Sequence, residues 1–330
     1  MSTTSPSPSS SPSPSPPLSL YARTRDATLG LLRPWVFMSL SLSYAPRALL
    51  DTLRGSPSPS PSRSPFPFSS AWRRRFRDLW FGRFWAAAGP GVRSSAEANV
   101  APLLEGRVAG GRVVDDSAAG PGVSGVVLEI GAGGGTWVDL FARRRTSRDS
   151  GDGDVITRIY GVEPSADQHA SLRRAVREAG LEDVYEIVPV GIEDLGGGSS
   201  GSGSNKKWEG GGGGGGGRIE KGSVDCIVSI LCLCSIPDPE RNIRELYGYL
   251  REGGRWYVFE HVRCEYSWYM RLYQRFVNIF WPHFIGGCLL CRPTEKTLRE
   301  VGPWTKIDVG LPPDTQWFHL VPHILGVFTK

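Results

Sequence analysis

From Val123 onward the chain alternates short apolar runs with amphipathic stretches. Val126–Ile130 and Ile156–Val162 are apolar and rich in β-branched residues, the pattern of buried strands. Tyr185–Val190 reads as a third strand, and Val224–Leu233, apolar on both faces, as a central fourth. Trp256–Phe259 is a fifth. Helical spacing fills the gaps. Trp137–Arg145 carries Leu140 and Phe141 on one side, and Leu172, Ala175, Val176 and Ala179 share a face before Gly180. Ser165-x-x-Gln168 has capping-box form. Asp238-Pro239 opens a helix that turns Ile243, Leu246 and Leu250 inward and ends at Gly253-Gly254. Strand and helix in strict alternation predict an α/β fold, a parallel sheet with helices on both faces.

Residues 1–17 and 56–69 are nearly all Ser and Pro, too poor in apolar surface to build a core. The reading is therefore a largely disordered Ser/Pro/Arg-rich extension over residues 1–70, basic lead-in helices over 71–122, and the α/β domain over 123–330. Within the extension, Leu18–Leu50 holds a short apolar segment, bracketed by Arg33 and Arg47, that suits a membrane surface better than a span. Thr146–Asp154 and the Gly/Ser-rich 196–217 are surface insertions.

Charge follows the same division. Residues 1–100 have twelve arginines, no lysine and four acids, a net +8; the whole 330-residue chain is +5, which leaves −3 for the remainder. The basic excess lies outside the α/β fold, which points to an anionic surface beside the domain rather than nucleic acid inside it. From Trp72 to Trp85, Trp72, Phe76, Leu79, Trp80 and Phe84 fall on one helical face among Arg73, Arg74, Arg75 and Arg77. Such a stripe serves equally to dock on a membrane or to pack on the domain.

Ligands on such sheets bind beyond the C-terminal strand ends. There the first strand delivers Glu129-Ile130-Gly131-Ala132-Gly133-Gly134-Gly135. A dinucleotide fingerprint needs a third glycine where Thr136 stands, and the acid before the loop would repel a phosphate. A ligand with an ammonium and a sulfonium, S-adenosylmethionine, suits it; a glycine-rich surface turn is the alternative. Glu163-Pro164, at the second tip, places a carboxylate where both hydroxyls of a ribose can donate to it. Ile192 and Glu193 are expected to meet adenine, and Leu231 and Cys232 the methionine arm.

The stretch from Val126 to Phe259 resembles the class I S-adenosylmethionine-dependent methyltransferases, in their methyltransferase type 11 branch. The blocks Gly222–Val228, Leu231–Ile236, Leu250–Gly254 and Phe259–Val262 resemble, more narrowly, the membrane-associated methyltransferase-like proteins that methylate alkyl thiols. Trp281, Gly287-Cys288-x-Leu290-x-Arg292-x-Thr294 and Val321-Pro322-His323-Ile324-x-Gly326 follow in the order seen in that family. The resemblance implies a Rossmann-like, mostly parallel seven-stranded sheet. It also implies S-adenosyl-L-methionine as cofactor, with Glu129, Gly131, Ala132, Gly133, Glu163, Pro164, Ile192, Glu193, Leu231 and Cys232 around it. The expected acceptor is small and apolar, a thiol first, with a lipid, quinol or other oxygen or carbon nucleophile as the second reading. A third reading is an inactive membrane-surface protein that keeps the fold.

His261, just past the fifth strand, is the candidate general base. Glu260 beside it suits an inward, orienting role; His319 and His323 are weaker candidates. Tyr266–Phe284, rich in aromatics, is expected to wall the acceptor site with Phe84 and Trp85. The six cysteines show no disulfide framework, and Cys288-x-x-Cys291 lacks a second pair, so no metal site is expected. The expected location is intracellular, on the endoplasmic reticulum or lipid-droplet surface or else cytoplasmic, with an anionic membrane surface as partner and no nucleic acid.

Overall fold

The structure, a computed structural model, describes residues 20–54, 70–114, 119–146, 155–196 and 218–330. The Ser/Pro stretches and nearly all of the two insertions lie outside them. The sheet is built from β3 (Gly125–Ile130), β4 (Ile156–Val162), β5 (Tyr185–Val188), β6 (Val224–Ile230), β7 (Leu250–His261), β8 (Lys306–Gly310) and β9 (His323–Thr329). A small hairpin, β1 (Val108–Ala109) and β2 (Arg112–Val113), precedes it. The seven strands lie in the order β5-β4-β3-β6-β7-β9-β8. The first five are parallel; β9 runs antiparallel to both β7 and β8. Strand order reverses at β3, so the crevice between the ends of β3 and β6 is the topological switch point.

Each face of the sheet has its own core. On one side α2 (Ser70–Leu104), α3 (Val138–Thr146) and α4 (His169–Glu178) bring Val100, Leu103, Phe141 and Leu172 onto Val127, Ile159 and Tyr257. On the other, α5 (Pro239–Tyr249) and α8 (Thr294–Glu300) bring Ile243, Leu246 and Leu298 onto Leu128, Val258 and Trp256. A third cluster lies over the strand tips. There α1 (Leu20–Leu53) and α2 pack on α6 (Trp268–Val277) and α7 (Trp281–Phe284) through Met38, Phe84, Met270, Val277 and Trp281.

The observed elements correct several expectations. The segment 18–50 is helical from Leu20, and the helix runs through Pro34 and Pro46. Isolated prolines would kink it; between them the helix is tied to its neighbours, Trp80 donating to the Ser41 carbonyl and the Ser41 hydroxyl to that of Phe284. The half-buried aromatic stripe of α2 packs on the domain, one of the two uses expected of it, with Trp72, Phe76 and Trp80 in a ladder that ends edge-on against Phe284. Ser165 opens no helix; α4 begins at His169 and its N-cap Gln168 makes no side-chain capping bond. The fourth strand stops at Ile230, because Leu231 adopts a left-handed φ of 56° and turns the chain. Among the described residues no helix is long and apolar enough to cross a membrane.

Candidate active site

A cavity of about 1800 Å³ opens at the switch point. Its floor is made of strand tips: Gly131, Ala132 and Gly133 after β3, Glu163 and Pro164 after β4, Leu231 and Cys232 after β6, and His261 at the end of β7. Its roof comes from α1 and α2, through residues such as Phe37, Phe81 and Trp85, and from Trp281 and Ile285 at α7.

The loop after β3 is shaped by its glycines. Gly131 has φ +70°, and a Cβ there would lie 2.6 Å from the Cβ of Cys232. The two strand tips therefore approach each other closely because one lacks a side chain. Gly135, at φ +91°, allows α4 to approach, since its Cβ would meet that of Ala175 at 2.5 Å.

Glu163 is 8% exposed and lies on the cavity wall. The Gly133 N–H donates to its Oε2 (2.9 Å), and the Ser165 N–H to its Oε1 (2.8 Å). Burial pushes the carboxyl above the usual carboxylate range, and these two backbone bonds oppose the shift. Each oxygen retains a lone pair for a further donor. The glycine loop itself carries no cationic side chain, although Arg33, Arg74, Arg75, Arg77 and Arg93 line the same cavity and the Arg93 guanidinium donates to the Thr136 carbonyl at the loop's end.

Beneath the loop, Glu129 is sealed from the cavity. The Tyr185 hydroxyl reaches it from β5, crossing β4 where Gly161 leaves room; any Cβ at Gly161 would collide with that hydroxyl. Glu260 is equally enclosed. It accepts from the backbone N–H groups of Cys232 and Leu233, at 3.1 Å each, and so shapes the β6 tip from below. Burial pushes both carboxyls up to about 7, against these hydrogen bonds.

His261 is 3% exposed. Its Nδ1 lies 3.6 Å from the Cys288 sulfur, and its Nε2 is buried without a hydrogen-bond partner. It pairs across the sheet with His323, whose ring stacks on Phe259. Burial lowers His323 to about 3, which keeps it neutral.

A family profile described as a methyltransferase domain matches residues 107–301. The chain belongs to that methyltransferase-domain family. It is 33% identical over 114 residues to thiol S-methyltransferase TMT1B of Homo sapiens, covering 34% of this chain and 46% of that protein. It is 34% identical over 114 residues to thiol S-methyltransferase TMT1A of Homo sapiens, with the same coverage. The match thus spans about half the length of these curated relatives. A geranyl diphosphate methyltransferase solved in complex with SAM is a distant likeness, 13% identical with a TM-score of 0.43 over 81% of this chain and 93% of that one.

On the methyltransferase domain, the residues expected at the cofactor divide into two groups. Gly131, Ala132, Gly133, Glu163, Pro164, Leu231 and Cys232 line one cavity with His261. Glu129, Ile192 and Glu193 are not on its wall. Glu129 is buried against Tyr185. Strand β5 ends at Val188, and the 3₁₀ turn Ile192–Asp194 points Ile192 into the core and leaves Glu193 exposed. Of the aromatic segment, Trp281 walls the cavity with Trp85, while Trp268, Tyr269 and Phe276 face outward. Sequence reasoning missed Thr136, Trp137 and Gln168 on the wall, and the meeting of Cys234 and Cys288 at His261. Thr136, Trp137, Gln168 and Cys234 carried the sequence signal of a position after a strand tip; Cys288, which follows α7, carried none of that kind.

Proposed function

We propose that this chain is an S-adenosylmethionine-dependent methyltransferase whose acceptor is the thiol of a small apolar molecule. The observation that carries the cofactor reading is Glu163, with both oxygens oriented by backbone N–H groups beside the glycine loop at the switch point. The residues on the cavity wall fit the nucleoside. Glu163 accepts the ribose hydroxyls, Gly131 and Gly133 give close backbone approach, and Leu231 and Cys232 border the methionine arm. When bound, the cofactor supplies a methyl group already activated by a sulfonium. The protein's tasks are to align an acceptor with it, to exclude water, and to accept one proton. The helices α1, α2 and α7 cover the strand tips, and Phe37, Phe81, Trp85 and Trp281 give an apolar acceptor a place on a lining that also carries charged residues such as Arg33, Arg75 and Arg93. His261, on the same wall, takes the acceptor proton. A thiol needs little help, since its ordinary pKa is about 8.5. The thiol assignment is supported by the names of the two human relatives.

The test is calorimetric titration of S-adenosylmethionine into the full chain and into Glu163→Ala. Loss of two charge-assisted bonds weakens binding by about 10- to 100-fold. Failure of folded wild-type protein to bind would overturn the reading and favour the inactive membrane-surface protein.

A membrane surface is the second element of this proposal. Where α1 meets α6, Trp35 packs on Phe276 and Phe280. Val36, 66% exposed, and Trp268, 78% exposed, carry the apolar face outward with Leu32, Leu272 and Ile279. Exposed apolar side chains on two adjoining helices fit lipid. Flotation of the full chain with anionic vesicles tests it, and recovery of the protein only in the unbound fraction would remove it.

A further inference from the structure

Three side chains from separate parts of the chain meet on the cavity wall. Cys234 follows β6, His261 ends β7, and Cys288 follows α7. All three are buried, and one ligand atom of each lies within 4.8 Å of the other two. The closest approach, Cys288 Sγ to His261 Nδ1, is 3.6 Å. That contact is a thiol–imidazole hydrogen bond, and it leaves the other imidazole nitrogen, Nε2, buried without a partner.

Two thiols and an imidazole form a borderline-soft donor set, which zinc binds with tetrahedral geometry. Bond lengths of about 2.0–2.3 Å place tetrahedral donor atoms roughly 3.5–3.8 Å apart, and the observed 3.6 Å lies in that range. Structural zinc sites close with four protein ligands, whereas three ligands leave a position open for chemistry. Here the missing position has an obvious side to open on, because all three residues line the same cavity as Gly131, Glu163 and Cys232.

We propose that Cys234, His261 and Cys288 bind a zinc ion whose fourth position faces the cavity and takes the acceptor thiol as its thiolate. The proposal rests on the methyl-transfer reading and names how its acceptor is held. On coordination the thiol S–H bond breaks, the sulfur–zinc bond forms, and the proton passes to solvent. In the transfer, a lone pair of the bound sulfur forms the new S–CH₃ bond. The sulfonium C–S bond breaks and leaves its electron pair on the departing thioether, S-adenosylhomocysteine. The methylated acceptor is a neutral thioether, a weak ligand, and leaves the ion. With zinc bound, His261 is a ligand through Nδ1; without it, His261 remains the proton acceptor. A metal-bound thiol is deprotonated outright, and the affinity of zinc for soft sulfur ligands favours a thiol over an alcohol at the open position.

The experiment is titration of cobalt(II), a spectroscopic substitute, into reduced, metal-stripped full-length protein whose fold is checked by circular dichroism. The expected result is sulfur-to-cobalt charge-transfer absorption with tetrahedral d–d bands, saturating at one equivalent and displaced by zinc. Cys234→Ser and Cys288→Ser remove the bands, while Cys291→Ser, outside the cluster, keeps them. Zinc raises thiol methylation by about tenfold or more. Folded wild-type protein without cobalt–sulfur absorption would overturn the proposal, as would bands that persist in Cys234→Ser or a Cys234–Cys288 disulfide in the reduced preparation. Calorimetry with S-adenosylmethionine on the same protein separates the two readings. Cofactor binding without cobalt bands sinks the metal site alone, and cobalt bands without cofactor binding leave the metal site standing but sink the methyltransferase reading and, with it, the ion's role in holding an acceptor thiolate.

Discussion

Replacing Glu129 with glutamine tests the electrostatics beneath the glycine loop. Burial pushes this carboxyl up, the Tyr185 hydroxyl bond opposes it, and the nearby Glu163 charge adds to it; the result is about 7 against an ordinary 4.5. The native value lies above the unfolded one, so between them the native state holds a proton that the unfolded state has released. The stability this proton contributes is fully present below 4.5 and is lost as pH rises through about 7. At about 1.4 kcal/mol for each tenfold step, the loss is about 3 kcal/mol. Glutamine keeps an oxygen for Tyr185 and cannot ionise. Its amide replaces Oε1, which has no hydrogen-bond partner, and so carries a constant cost of about 1–3 kcal/mol. The variant's stability relative to wild type therefore improves by about 3 kcal/mol between about pH 4.5 and about pH 8. Urea unfolding followed by tryptophan fluorescence, with matched m-values, measures it. Glu260 titrates in the same range but is present in both proteins, so it cancels. Parallel pH profiles for the two proteins would refute the reasoning.

Three other outcomes follow from the same structure. Tyr185→Phe removes the donor to Glu129 and costs about 1–3 kcal/mol at neutral pH; unchanged urea stability would contradict it. Gly131→Ala places a Cβ against Cys232 at a positive φ, costs about 1–3 kcal/mol, and weakens S-adenosylmethionine binding by about tenfold or more in calorimetry. Trp35→Ala removes ring contacts with Phe276 and Phe280 and the bond to the Tyr273 hydroxyl, loosening α1 by about 2 kcal/mol; limited proteolysis then cuts within Leu20–Leu53, and an unchanged digest would contradict it.

What was legible in the chain was local. The strand Ile156–Val162 was readable from its own residues, as was the glycine loop, and Glu163 sits at the strand tip where the pattern placed it. What the sequence did not place came from context. Ile192 and Glu193 lie off the cavity wall because β5 stops two residues before its expected end and the 3₁₀ turn buries Ile192. Two prolines and a polar surround hid α1, whose order comes from α2 and α7 rather than from its own propensity. Spacing drew attention to Cys288-x-x-Cys291, yet Cys288 meets residues 27 and 54 positions away, which no short motif records.

The central claim is methyl transfer to a thiol in this cavity. Its most direct test is incubation of the full chain with methyl-labelled S-adenosylmethionine and a panel of one alkyl thiol, its alcohol counterpart and a lipid, with products identified by mass fragmentation. The account predicts label on sulfur as an alkyl methyl thioether, lost with Glu163→Ala. Label on oxygen or lipid, or no product from protein that binds the cofactor, would contradict it.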